Sequence, residues 1–195
     1  MPYVLDTGPT EEPVPLEDLK AHCRVEITDD DDLIFALGVA AREKIELDTG
    51  RALCTQTWIL YGSGFPVSGT IAIQLSHPPL QSATITYTTT SGVASTTWSA
   101  TEYQVDTASQ PGRIMPAYGY SYPTAYDSYN SVAIEFVCGY GASYDVPAML
   151  KHALKMLVGT WYEHREMIVI GTIATDIPAP VAYESLIYPY RMWSF

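Results

Sequence analysis

The sequence predicts an α+β protein. It has a small helical bundle built from the N- and C-terminal segments, an inserted antiparallel β domain, and an extended C-terminal arm. Three observations lead there. Apolar residues recur at helical spacing over 30–49 and again after Pro147. Between these stretches the period falls to two. Charge follows the same divisions: residues 1–50 hold 13 acids and 4 bases, residues 51–146 hold 5 and 2, and residues 147–195 hold 4 and 4. The charge-poor middle is rich in Thr, Ser, Gly and Tyr, which marks a change of architecture. The boundaries that follow are an N-terminal arm at 1–14, a bundle from 15–53 and 145–166, a β domain at 54–144 and a C-terminal arm at 167–195.

Taken in order, residues 1–14 are acidic and Pro-containing and read as an extended arm. Pro15 and Leu16 open a short helix that runs to Arg24, with Glu17 and Asp18 at the positive end of its dipole. Thr28 is the candidate cap of the next helix, 30–49, followed by Asp29, Asp30, Asp31 and Asp32. Ile34, Leu37, Ala41 and Ile45 lie on one face of it, and Leu33, Ala40 and Leu47 widen that stripe. Gly50 stands where a left-handed glycine ends a helix.

The β region starts with Thr55 to Tyr61. Ile71, Ile73 and Leu75 alternate with polar residues until Pro78 and Pro79 break the strand. Ala83, Ile85 and Tyr87 then alternate with threonines, and Ser91-Gly92 turns into Val93 to Trp98. Tyr103 and Val105, Arg113 to Met115 after Pro111-Gly112, and Val132, Ile134 and Phe136 complete six or seven short strands. Their close spacing suggests a small antiparallel sheet or sandwich. The last helix begins at Pro147, placed at N1, and ends near Glu166. Leu150, Leu154, Leu157 and Trp161 form its apolar stripe, with Lys151 and Lys155 on another face.

Two aromatic clusters stand out as contact surfaces. The loop Ala117 to Asn130 carries Tyr118, Tyr120, Tyr122, Tyr126 and Tyr129. Tyrosine combines large apolar area with a hydroxyl at low entropic cost, so these residues form either an interface or a loop folded back over its own sheet. The C-terminal arm carries Tyr183, Tyr188, Tyr190, Arg191, Trp193 and Phe195, residue types that dominate interface hot spots. That arm either meets a partner or packs on its own chain.

Several function classes are disfavoured. The 22 acids and 10 bases give a net charge of −12, with no basic stripe for a sequence-independent DNA binder. No apolar run approaches the roughly 20 residues of a membrane span, and the N-terminus has no signal-peptide pattern. Cys23, Cys54 and Cys138 form no CxxC pair, which fits a reducing compartment and small buried apolar roles. The Asp29–Asp32 run fails the calcium-loop pattern, because Ile34 and Ala40 stand where Gly and Glu are needed. His152 and His164 are too far apart for a helical metal pair. No nucleophile elbow, P-loop or dinucleotide fingerprint is present. Only Glu102, Asp106, Asp127, Glu135 and Asp145 could supply a carboxylate pair in the β region. The reading is a non-enzyme without cofactor or metal.

The order of short motifs resembles phage head–tail connectors, the HK97 gp6-like adaptors and in particular the phiE125 gp8 type. The resemblance runs through Pro15-Leu16-Glu17-Asp18-Leu19-Lys20-Ala21-His22, Arg24-Val25, Asp30-Asp31-Asp32-Leu33-Ile34, Thr49-Gly50-Arg51-Ala52-Leu53 and Gln56-Thr57-Trp58. It resumes at Pro79-Leu80, Tyr103-Gln104-Val105-Asp106, Pro111-Gly112-Arg113-Ile114, Gly139-Tyr140-Gly141, Trp161-Tyr162-Glu163-His164-Arg165-Glu166 and Leu186-Ile187-Tyr188-Pro189-Tyr190-Arg191. It implies a structural subunit at the head–tail interface of a virion, made in the bacterial host cytoplasm. Such a subunit forms a ring, typically twelvefold, beneath the portal and above the next tail or stopper protein. DNA passes through it without sequence-specific binding. The shortest relatives lack most of the β middle. A carbohydrate-binding tail or baseplate module is the alternative, supported by the Tyr-rich loop.

Overall fold

The structure is a computed structural model that describes residues 2–66, 71–89, 95–164 and 181–192. Among the described residues it is α+β, with four helices and two antiparallel sheets. The chain divides into two compact units, one of residues 1–10 and 55–140 and the other of 11–54 and 141–195.

The helical unit contains α1 (Leu16–Cys23), α2 (Asp31–Thr49), α3 (Ala148–Glu163) and α4 (Val181–Ile187). Arg24 ends α1 in the left-handed region, and Gly50 does the same for α2. The cap position of α2 falls on Asp30, two residues beyond Thr28, because the first helical residue is Asp31. Pro147 caps α3 from just outside it, and the described part of that helix stops at Glu163. Ile34, Ala41, Ile45, Leu150, Leu154 and Leu157 are buried together with Tyr183 and Ile187 of α4. Where α1 meets α2 the helices come so close that a Cβ on Gly38 would lie 2.8 Å from Leu19 Cδ1.

Two expectations about this unit are corrected. Leu33, Ala40 and Leu47 do not widen the buried stripe of α2; all three are exposed. The buried face runs instead through Ile34, Gly38, Ala41, Arg42, Ile45 and Thr49. The segment expected as an extended C-terminal arm contains α4 and a 3-10 turn at Tyr188–Tyr190. The expectation for residues 167–180 lies outside the described residues.

The β unit holds a five-stranded sheet in the order β1 (Tyr3–Thr7), β2 (Gln56–Gly62), β8 (Val132–Cys138), β4 (Leu80–Thr88), β5 (Ser95–Thr97). A three-stranded sheet runs β3 (Ile73–Leu75), β7 (Gly112–Pro116), β6 (Tyr103–Asp106). All pairs are antiparallel. One face of the larger sheet presents Leu60, Ile85, Ile134 and Phe136, all buried, and Ile73, Leu75 and Ile114 of the smaller sheet are buried too. The Tyr103 hydroxyl donates to the Ala83 carbonyl at 3.1 Å and so ties the sheets together. Gly112 permits a close approach there, since a Cβ would meet Leu80 at 2.6 Å. The N-terminal residues expected as an arm supply an edge strand instead. Tyr3 pairs with Leu60 in register, and its ring lies edge-on to Phe136 at 6.1 Å. The expected turn at Ser91-Gly92 and the start of the strand at Val93 lie outside the described residues.

Candidate functional site

Among the described residues no group of three or more His, Cys, Asp or Glu could hold a metal ion. Two of the Asp29–Asp32 carboxylates are engaged within the helical unit. Asp31 pairs with Lys20 at 2.6 Å, and Asp30 accepts from the Tyr162 hydroxyl at 2.6 Å. Asp106 accepts from the Ser109 hydroxyl and from Arg113, which hold its carboxyl well below the usual range. It organises the β6–β7 turn. Glu135 and Asp127 are exposed. Cys23, Cys54 and Cys138 are free thiols; Cys54 and Cys138 are buried. Burial, followed by the charges of Glu11, Glu12 and Glu46, pushes the Cys54 thiol up to about 12. A thiol held protonated is a poor nucleophile. Among the described residues no helix is long and apolar enough to cross a membrane.

The C-terminal aromatic set divides. Tyr183 is fully buried, and its hydroxyl donates to Asp48 of α2 at 2.6 Å. Burial and the Asp48 hydrogen bond raise its pKa. Tyr183 therefore anchors α4 inside its own unit and presents no surface in this fold. Ile187, one turn on, is buried beside it in the sequence pattern of a single helix face. Two further ties hold the end of the chain: Arg51 Nε donates to the Tyr190 carbonyl, and the Met192 amide to Thr49. Arg191 pairs with Glu184 at 2.6 Å. Tyr188 is exposed and Tyr190 half-buried. Trp193 and Phe195 lie outside the described residues. The missed signal was the Tyr183/Ile187 spacing after Pro180, masked by the density of prolines and aromatics.

The tyrosine loop also divides. Tyr122 turns inward: its ring stacks on Phe65 at 5.4 Å, and its hydroxyl donates to the Ile71 carbonyl at 2.8 Å and the Ile114 carbonyl at 3.2 Å. Trp98 packs against both Tyr122 and Tyr103. With its centre pinned, the loop holds the others outward. Tyr118 is 100% exposed and Tyr129 95%, with Tyr120 and Tyr126 also exposed. Of the two readings of this loop, one residue folds back over its sheet and four point to solvent.

Comparison with known proteins gives these surfaces a context. Residues 14–104 match the family model for phage gp6-like head-tail connector proteins. The chain thus resembles these connectors over α1, α2 and the first half of the β unit. The fold also matches solved structures along its whole length. One is a neck of an empty GTA particle computed with C6 symmetry, at TM-score 0.79 and 20% identity. A virion of the native gene transfer agent (GTA) particle gives 0.79 and 21%, and a neck of the native GTA particle computed with C12 symmetry gives 0.70 and 22%. Each alignment covers 100% of this chain and 97% of the other. At such identities the likeness is one of fold. No curated protein matches the sequence.

Proposed function

We propose that this chain is a structural head–tail connector of a tailed phage or phage-like particle. It assembles as a ring, twelvefold in the simplest case, between a portal and the next tail or stopper protein. DNA passes through the ring. The observation that carries this reading is the end-to-end fold likeness to neck structures, supported by the connector-family match over 14–104. The chemistry is compatible. With a net charge of −12 per copy, phosphate meets like charge instead of lysines and arginines that would hold it. The bundle and the inserted β domain serve as separate modules. The exposed tyrosines of the 117–130 loop, together with Tyr188, are the surfaces offered to neighbours. No catalytic residue is assigned.

Electron microscopy of the protein mixed with the portal ring from the same genome tests this. The expected result is an added ring layer whose symmetry matches the portal. No added density at high protein concentration overturns it. The second reading, a carbohydrate-binding module, draws on the full exposure of Tyr118 and Tyr129. Glycan-array binding lost in Tyr118→Ala and Tyr129→Ala would favour that reading.

A further inference from the structure

The outermost strand of the larger sheet is held chiefly by one side chain. In β1, Val4 to Thr7 are exposed and only Tyr3 is half-buried. β1 pairs with β2 alone, and its register slips between Leu5 and Thr7. A strand attached so thinly opens at low cost. Tyr3 offsets this by reaching β3 and the segment after it. Its hydroxyl donates to the Gln74 carbonyl at 3.2 Å and accepts the Ser76 amide at 3.4 Å. Its ring stands edge-on to His77 at 5.9 Å. His77 in turn stacks on Trp58 of β2, with centroids 4.1 Å apart and planes 11° apart. The His77 backbone is left-handed, at φ 62°, an uncommon state for a residue with a side chain.

We infer that Tyr3, Trp58 and His77 form a pH-sensitive latch, which holds β1 while the imidazole is neutral and releases it when the imidazole takes up a proton. His77 Nδ1 is buried and has no hydrogen-bond partner among the described residues, and the neighbouring Ser76 Oγ is buried and unpartnered as well. A neutral ring can leave that nitrogen as a bare lone pair; an imidazolium carries an N–H on both nitrogens. A buried donor without an acceptor is costly, and a buried charge without a counter-charge more so. The rings facing His77 are the Tyr3 phenol from β1 and the Trp58 indole from β2. Among the described residues no carboxylate or cation bears on it, and burial alone pushes its pKa below the ordinary 6.5. The Trp58 face attracts an imidazolium, but keeping the stack would strand the new Nδ1–H without an acceptor. A released ring titrates at its ordinary value. Release therefore gains on closure as pH falls below 6.5. When the ring leaves, Tyr3 loses the wall it packs on, and β1 can lift from the outer ladder edge of β2.

The experiment is amide hydrogen exchange of the full chain, read by NMR at about pH 7.5 and 5.0 as protection factors corrected for the intrinsic rate. Both values lie above the ordinary carboxylate range, so aspartates and glutamates largely keep their charge. The Tyr61 amide donates to the Pro2 carbonyl at 3.1 Å and so reports whether the start of the chain is seated on β2. Its protection should fall more than about fivefold from the higher pH to the lower, relative to Ile134 in the central strand β8. His77→Phe keeps a flat ring for Trp58 and takes no proton, so its Tyr61 protection should stay within about twofold between the two conditions. If that variant does not fold, His77→Asn, suited to a left-handed backbone, gives the same comparison. A smaller fall in wild type overturns the latch, and so does an equal fall in the variant. The His77 ring resonance should titrate below 6.5. Titration at or above that value means that the attraction of Trp58 prevails, and it overturns the inference.

Discussion

The two units solve the same problem with different chemistry. In the helical unit, charged side chains hold segments that are far apart in sequence. Arg42 lies between Glu12 and Glu46 at 2.9 Å each, and Glu46 also accepts the Leu53 amide. Lys155 of α3 pairs with Asp18 of α1, Tyr162 reaches Asp30, and Tyr183 reaches Asp48. In the β unit, backbone ladders do the joining, and rings fill the space. Phe65, Trp98, Tyr103 and Tyr122 form a continuous aromatic cluster with hydroxyls on backbone carbonyls. Helices satisfy their own backbones and must be fixed to one another through side chains; strands are fixed to one another by the backbone itself. The skew of charge along the sequence is thus a record of which unit needs side-chain ties.

The largest expected effect tests the helical core itself. Leu154→Asp places an unpaired carboxylate where exposure is 1%, at a cost of about 4 kcal/mol or more, so the helical circular-dichroism signal should lose its cooperative melt. Next come the aromatic anchors. Tyr183→Ala and Trp98→Ala should each cost about 3–5 kcal/mol in chemical denaturation. Tyr183→Phe should cost only about 1 kcal/mol, since it deletes one hydrogen bond. If Tyr183→Ala were neutral, α4 would be a loose arm after all. By the same reasoning, deleting 181–195 should destabilise the free subunit, which removal of an unattached arm would not do.

A smaller effect comes from Cys54. Its thiol is raised in the fold to about 12 from an ordinary value of 9.0. The folded state therefore keeps a proton that the unfolded state releases. The stability this supplies is complete below pH 9, declines as pH rises and is gone above the folded value. Between pH 8 and 10.5, wild type should lose about 1–2 kcal/mol more than Cys54→Ala in urea titrations. The smallest effect is Lys155→Ala. Its pair with Asp18 is partly exposed, so the loss should stay within about 0.5 kcal/mol and vanish in high salt.

The helices were legible because their signal is local. The Ile34/Ala41/Ile45 and Leu150/Leu154/Leu157 spacings mark buried faces, and Gly50 ends its helix as expected. The alternation at Ile85, Ile134 and Phe136 likewise marked strands. Periodicity says that a stripe wants burial, however, and not what will bury it, so Leu33 and Leu47 read as core although α2 turns them outward. Strand order was not legible, because β8 lies between β2 and β4 through pairings such as Leu60–Ile134 and Ile85–Ile134. β1 was missed because Val4 and Leu5 sit on an edge with only one paired side, where the inward–outward alternation is weak. Among the proposed contact residues, side-chain type picked out Tyr118 and Tyr122 equally. Only the fold separates a ring in solvent from a ring stacked on Phe65.

The register of β2 against β8 bears on how such an insertion is tolerated at all. Gln56 sits opposite Cys138, so the chain enters and leaves the β unit on adjacent antiparallel strands. Once those strands have paired, the long excursion between them closes almost like a tight hairpin, and α2 and α3 are joined by a short effective tether. The entropic penalty of bringing distant chain segments together grows only as the logarithm of loop length, and a prefolded insert removes much of even that. Deleting residues 1–10 and replacing residues 55–140 with a short glycine-rich connector should accordingly leave a helical unit that still folds.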